Sequence, residues 1–145
     1  MTMNSKEYLS QAMWLDKMID NKLEQLDSLK ALSLKVNSTL SEVKVSGGHH
    51  ENSSMESAVV KVIDLGNEIN DDIDRLVDLK KEIAEVIHQV NNINYQLLLE
   101  MRYISGKTWD DVAIALNYNS RSVFKVHGRA LKEIEKIREE GSIGQ

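Results

Sequence analysis

The chain has 145 residues, of which 41% are hydrophobic, 28% charged and only 5% aromatic, and its formal net charge is −5. This size allows one domain or two very small ones, and the lack of cysteine excludes disulfides, thiolate metal sites and thiol nucleophiles. There is neither a signal peptide nor the roughly 20-residue apolar run of a membrane span, so we expect a cytoplasmic protein without a membrane partner. Zero prolines and only 7 glycines predict an all-α fold.

The first predicted element is a long helix from Asn4 to about Leu40. Asn4 and Glu7 have the spacing of a capping box, in which two side chains satisfy the free N–H groups of a helix start. Apolar residues then recur at alternating steps of four and three, which is typical of a coiled-coil seam. These residues are Tyr8, Ala12, Leu15, Ile19, Leu26, Leu29 and Val36. Lys22 and Ser33 interrupt the seam.

A connector and a second long helix follow. Residues 44–54 contain a glycine pair and show no periodicity, so we expect a mobile linker. Ser53 and Glu56 have the spacing of a second capping box, and the same apolar alternation predicts a helix from about Met55 to about Val90. Two helices of about 36 residues, each roughly 54 Å long, favour a long antiparallel hairpin that resembles a coiled coil.

The apolar seams of this hairpin exceed what two helices alone can cover. We therefore expect these seams to pack against a third partner, either the C-terminal segment or another copy of the chain, and we favour residues 1–90 as an oligomerisation arm that forms a homodimer. Three seam positions are not apolar: Lys22, Lys80 and Gly66. In some coiled coils such residues set the helix register or the oligomeric state. The alternative, which is more common, is that the lysine side chains extend along the edge of the bundle and Gly66 permits close helix approach.

Residues 91–145 form a second predicted domain with shorter helices and tight turns. Its first helix stops near Ser105–Lys107 and has one apolar face, consisting of Ile93, Leu97, Leu98, Met101 and Ile104. Thr108 has the side chain and the position of an N-cap for the next helix, from Trp109 to Leu116. The predicted buried face of that helix consists of Trp109, Val112, Ala113 and Leu116.

A three-residue turn leads into the last helix. Asn117 tolerates the left-handed conformation that ends a helix, and Asn119 can cap the next helix, with Ser120 as the alternative cap. The predicted buried face of the last helix consists of Val123, Val126, Ala130, Leu131 and Ile134. A short helix, a tight turn and a helix with a basic exposed start predict a trihelical helix-turn-helix unit, whose last helix enters the major groove of DNA.

Charge is unevenly distributed along the chain. Residues 1–90 carry 10 basic and 16 acidic side chains, whereas residues 91–145 carry 8 and 7. The window 118–132 contains Arg121, Lys125, Arg129 and Lys132 and no acidic residue. Affinity for phosphate depends on such local fields rather than on the net charge, so this stripe favours double-stranded DNA as a partner. The alternative is a helix that is basic without a nucleic-acid partner.

The stretch from Leu98 to Tyr118 resembles region four of bacterial sigma factors. The likeness rests on the Met-Arg-Tyr helix end at 101–103, the loop after it and the Thr-Trp-Asp-Asp-Val-Ala segment at 108–113, and it continues to the Arg-Ala-Leu-Lys segment at 129–132. Together with the long helical N-terminal half, it makes the chain similar to small sigma-like transcriptional regulators of phages and prophages of Gram-positive bacteria. The chain departs from region four at Asn117, where glycine is usual. The sigma regions that melt promoters and bind core polymerase have no counterpart.

The resemblance implies a sequence-specific DNA-binding regulator in the cytoplasm of a bacterial host cell, and it allows contact with RNA polymerase. In region four, the first exposed positions of the last helix contact bases, and these positions here are Ser120, Arg121, Phe124 and Lys125. Basic side chains better placed for DNA phosphates are Arg102, Lys107, Arg129 and Lys132. His127 lies beside this face and is expected to contact phosphate. Phe124 has an alternative role as a core aromatic residue.

Enzymatic activity, a cofactor and a metal site are not predicted. His49, His50 and Glu51 lie together in the predicted loop, but no second set of ligands has a suitable spacing. An acidic cluster in the second helix is predicted to be a solvated face, formed by Asp71, Asp72, Asp74 and Asp78. Two alternatives to a regulator remain: a DNA-packaging protein of the phage small-terminase type, and a coiled-coil scaffold for protein interactions.

Overall fold

The computed structural model describes residues 3–42 and 49–143, with side chains for residues 3–35 and 55–141. Regular structure in these stretches is entirely helical, which confirms the predicted all-α class. The α-helices are α1 (Ser5–Glu42), α2 (His49–His88), α3 (Ile93–Leu99), α4 (Trp109–Leu116) and α5 (Ser120–Ile143). A π-helical segment, Glu100–Ile104, directly continues α3. Within the described stretches, no helix is both long and apolar enough to cross a bilayer.

Side-chain hydrogen bonds define the start of α1. The Glu7 backbone N–H donates to Asn4 Oδ1 at 2.8 Å, and Asn4 Nδ2 donates to Glu7 Oε1 at 2.9 Å. These bonds satisfy a backbone donor that has no partner within the helix. The helix therefore begins next to Asn4, as its spacing from Glu7 predicts.

The predicted linker 44–54 is wrong over its second half. α2 begins at His49, so residues 49–54 are helical and Ser53 lies within the helix rather than at its start. Asn, Ser and His each cost less than about 0.7 kcal/mol of helix propensity relative to Ala, and without a proline a long helix can extend through them. Residues 43–48, which include the glycine pair of the predicted linker, lie outside the described residues.

Contacts divide the chain into two compact units. The first comprises Met1–Leu15 and Leu76–Gln145, and the second comprises Asp16–Arg75. This grouping differs from the predicted division at residue 90, because the first turns of α1 and the last turns of α2 pack with the C-terminal helices. The predicted arm thus contributes two of its segments to the unit that contains α3, α4 and α5.

The core of the first unit combines α1 and α2 residues with α3, α4 and α5. Its buried members are Leu9, Ala12, Ile83, Ile87, Val90, Leu98, Leu99, Tyr103, Val112, Ala113, Val123, Val126, Ala130 and Ile134. Arg138 of α5 attaches the start of α1 to this unit. Its guanidinium donates to the Met3 carbonyl at 3.0 Å and to Ser5 Oγ at 3.4 Å, and it lies 4.6 Å from the Tyr8 ring centre.

The apolar face of α3 is rotated relative to the sequence prediction. Ile93 is 61% exposed and Leu97 is also exposed, whereas Leu99 and Tyr103 are buried. Beyond Leu99 the π-helical segment changes the pattern further, because the Ser105 N–H donates to the Glu100 carbonyl five residues back at 2.9 Å. The additional residue in each π-helical turn changes which side chains face the core.

The second unit joins the central parts of α1 and α2 through a charged cluster. Lys22 Nζ of α1 donates to Glu68 Oε1 at 3.0 Å and to Asp72 Oδ2 at 2.5 Å. These hydrogen bonds, chiefly the one with Asp72, raise the pKa of Lys22 above its ordinary value. Asp72 is buried and also lies 3.5 Å from Arg75. The predicted solvated acidic face is therefore wrong for Asp72, which is the buried partner of the seam lysine.

Candidate nucleic-acid interface

A capped helix and a left-handed turn form the first part of the segment for which the sequence predicts a helix-turn-helix. Thr108 Oγ1 accepts the Asp111 N–H at 3.1 Å and caps α4. α4 ends at Asn117, which adopts φ 58° and ψ 38°, and the Tyr118 N–H then donates to the Ala113 carbonyl at 2.9 Å. Asparagine tolerates this conformation better than most residues other than glycine, so α4 can end at this turn without a glycine.

Asn119 then starts α5. Its Oδ1 accepts the N–H groups of Arg121 at 3.1 Å and Ser122 at 2.8 Å, while Ser120 is the first helical residue. The alternative assignment of the cap to Ser120 is therefore incorrect. Two asparagines fix the length and the direction of the turn through hydrogen bonds within a few residues.

The outer face of α5 carries the predicted base-reading residues and two of the predicted phosphate contacts. All six side chains are exposed: Ser120, Arg121, Phe124, Lys125, Arg129 and Lys132. The opposite face buries Val123, Val126, Ala130 and Ile134 in the core. Within the described residues, none of the four cations on the outer face is in an ion pair. The helix therefore packs on the core with one face and exposes a basic face on the other.

Phe124 is not a core aromatic residue. Its side chain is 53% exposed, and its ring centre lies 5.3 Å from that of Trp109 at the edge of the core. The contact with Trp109 holds one side of the ring while the other remains accessible. The alternative role considered from the sequence is therefore wrong, and Phe124 is available to a ligand.

Arg102 and Lys107, the remaining predicted phosphate contacts, lie at the loop before α4. Arg102 is half-buried, donates to the Lys107 carbonyl at 3.0 Å and lies 4.8 Å from the Trp109 ring centre, in a cation–π contact. Lys107 is exposed, and the loop before it turns at Gly106 with φ +69°. Arg102 therefore positions the loop and Trp109, whereas the Lys107 side chain extends into solvent.

His127 has an unexpected environment. It is only 8% exposed, its Nε2 lies 2.6 Å from Tyr103 Oη, and its ring centre lies 4.4 Å from that of Trp109. Burial, followed by the nearby charges of Lys6 and Arg102, lowers the pKa of His127 to about 4. Burial likewise raises the pKa of Tyr103 to about 12, so at neutral pH a neutral phenol and a neutral imidazole share this hydrogen bond.

The expected phosphate contact of His127 is therefore wrong, and the residue is a buried joint between α5, the π-helical segment and α4. The sequence did contain a signal for this role. His127 lies four residues after Val123 and three before Ala130, which places it on the buried side of an α-helix.

The described residues contain no cluster of three side chains able to ligate a metal. The His49–Glu51 side chains, considered from the sequence as weak ligands, lie outside the described side chains. Elsewhere, His88 Nε2 lies 2.5 Å from Glu100 Oε1 on the surface.

Comparison with protein families gives one match, which covers residues 34–135 and therefore more than two thirds of the chain. The matching family is described as "Protein of unknown function (DUF1492)". The matched range contains α3, the π-helical segment, α4 and most of α5. Comparison with curated proteins and with solved structures found no significant match.

Proposed function

The chain belongs to the DUF1492 family, and we propose that this member is a sequence-specific DNA-binding transcriptional regulator of the sigma-region-four type. The observation that carries the proposal is the basic face of α5, which is exposed, has no ion pair within the described residues and follows the turn that ends α4. Such a helix presents side chains to the major groove while the preceding helix lies across the DNA backbone. The proposed partner is double-stranded DNA, without a cofactor or catalytic role.

The first two turns of α5 read the bases in this proposal. Arg121 and Lys125 lie one helical turn apart on the same face. Each can donate hydrogen bonds to O6 and N7 of guanine, which are acceptors. Phe124 presents an apolar ring edge to a thymine methyl group, and Ser120 supplies a hydroxyl group at the helix start. In this proposal, sequence specificity depends on exposed side chains that do not pack in the core.

Phosphate contacts position the helix in the groove. Arg129 and Lys132 continue the basic face of α5, and Lys107 extends from the loop before α4. Arg102 already holds the Lys107 carbonyl and Trp109, so its first role is to position this loop. A guanidinium has five N–H donors, and those that remain allow Arg102 a phosphate contact as well.

We further propose that α1 and α2 form an antiparallel hairpin arm that pairs with a second copy of the chain. In the second unit, Lys22 contacts Asp72, while residues 30–34 and 59–63 line a common groove, which is the order of an antiparallel pair. Among the described side chains of this unit, nine large apolar ones are exposed: Met18, Leu23, Leu32, Leu34, Met55, Val59, Val60, Ile63 and Ile73. Extensive apolar exposure is typical of interaction surfaces.

A homodimer fits the helix-turn-helix proposal, because two recognition helices can bind two half-sites in successive turns of DNA. By resemblance to phage and prophage regulators, the proposal extends to a bacterial cytoplasm and to RNA polymerase as a second partner. Gel filtration with light scattering tests the assembly. A dimer supports the regulator, whereas a large ring favours the packaging alternative.

The DNA proposal is tested with the full-length protein and fragmented bacterial and phage DNA. Sequencing of the recovered DNA should give an enriched motif. Arg121→Ala and Lys125→Ala should then each weaken binding to that motif by about 1 to 3 kcal/mol while binding to scrambled duplex changes little. Lys61→Ala removes an exposed charge from the other unit and serves as the control. Absence of any enriched motif, or an unchanged preference in folded Arg121→Ala and Lys125→Ala proteins, would favour the scaffold alternative.

A further inference from the structure

The first turn of α1 lies against α5 beside the basic face. Asn4, Ser5 and Lys6 of this turn and Leu131, Lys132 and Glu135 of α5 line one open cavity of about 210 Å³. The bonds from Arg138 to Met3 and Ser5 fix this segment on α5. The chain thus brings a lysine from its N-terminal segment next to a lysine of the proposed recognition helix.

Lys132 belongs to the same face as the proposed base-reading cations. It follows Lys125 by seven residues and Arg121 by eleven, so at 3.6 residues per turn it lies within about 20° of each around the helix axis. Lys6 therefore extends the basic face sideways, onto the neighbouring helix. The influence of Lys6 on His127, whose pKa its positive charge lowers, also indicates that it lies close to α5.

Both lysines are available to a ligand. They are exposed, and within the described residues neither is in an ion pair. Glu7 is hydrogen-bonded to Asn4 and does not line the cavity, and Ser5 Oγ is buried and accepts from Arg138. Glu135 is the carboxylate that lines the cavity. Two cations and one carboxylate leave a net charge of +1, which matches the single negative charge of a phosphodiester.

We propose that Lys6 and Lys132 together bind one phosphodiester of the DNA backbone, so that the start of α1 is part of the DNA interface. This inference rests on the proposed function, because it uses the same duplex and the same face of α5. A bridging phosphate would relieve the repulsion between the two ammonium groups and would fix the lateral position of α5 in the groove. The contact carries no sequence information of its own.

The test measures the affinity of the full-length protein for mixed-sequence duplex DNA at several salt concentrations. Lys6→Ala should lower the affinity about three- to tenfold at low salt and reduce the slope of log K against log salt by up to about 0.9 per protomer, which is the value for one phosphate that is no longer neutralised. Lys132→Ala should give the same change, and Lys6→Arg should preserve the slope because it keeps the charge. Lys17→Ala removes an exposed lysine of the same helix from the second unit and is the matched control.

The stability of the variant separates a lost contact from a folding defect. A lysine in the first turn of a helix is opposed by the helix dipole, so Lys6→Ala should leave the melting temperature unchanged or slightly raised. A Lys6→Ala slope equal to that of Lys17→Ala, with wild-type binding intact, would overturn this site and leave the proposed function standing. Failure of the wild type to bind duplex DNA at any salt concentration would overturn both.

Discussion

Acid should destabilise the first unit through the buried imidazole of His127. In the folded chain the pKa of His127 is lowered to about 4, against an ordinary value of 6.5. The unfolded chain therefore takes up the proton more readily than the folded chain does. The stabilisation from the neutral imidazole is complete above about pH 6.5 and disappears as the pH falls towards 4.

The size of the effect follows from the pKa difference. One pKa unit corresponds to 1.36 kcal/mol, so the loss between pH 7 and pH 4 approaches about 3 kcal/mol. This is a large fraction of the 5 to 15 kcal/mol by which small domains are usually stable. Protonation puts an N–H on both ring nitrogens, so Nε2 can then bond Tyr103 Oη only as a donor.

Urea unfolding at a series of pH values, followed by tryptophan fluorescence, measures this loss. The wild type should be compared with His127→Phe, which keeps an aromatic ring between Tyr103 and Trp109 but does not titrate. Between pH 7 and pH 4 the wild type should lose about 3 kcal/mol more unfolding free energy than His127→Phe loses. NMR titration of the wild type gives the pKa of His127 directly and does not depend on how the variant folds. A pKa near 6.5, or parallel losses of stability in both proteins, would refute the reasoning.

Four further predictions concern the scaffold. Gly128→Ala should raise the unfolding free energy by about 0.5 to 1 kcal/mol, because this exposed helical position has no atom within 4 Å of a new Cβ. Gly106→Ala should lower it by about 1 to 2 kcal/mol because of the positive φ, and equal effects in chemical denaturation would contradict both predictions. Lys22→Ala should lower the urea midpoint by leaving Asp72 buried without its cation, and Lys22→Met with Asp72→Leu should restore it; a neutral Lys22→Ala would mean that the pair is not structural. Val123→Asp places a charge in the core, so circular dichroism should show loss of the first unit together with DNA binding, and a folded variant would contradict the burial.

The helix boundaries in the C-terminal unit depend on interactions between residues close in sequence. Thr108 and Asn119 accept N–H groups two or three residues further on, and Asn117 needs only its own backbone conformation to end α4. Such hydrogen bonds are visible as residue types at fixed spacing. The same reasoning failed at His49–Ser54, where weakly unfavourable residues were absorbed into a long helix.

The sequence by itself therefore determined the all-helical class, the start of α1, the turn between α4 and α5, and the exposed basic side of α5. Only the tertiary structure decided what lies behind and beside that face. Tyr103 and Trp109 contact His127, and Arg102 contacts the Lys107 carbonyl and the Trp109 ring. Lys6 and Lys132, which are far apart in sequence, line the same cavity. Periodicity and capping are properties of neighbouring residues, whereas burial and charge partners depend on which distant segments pack together.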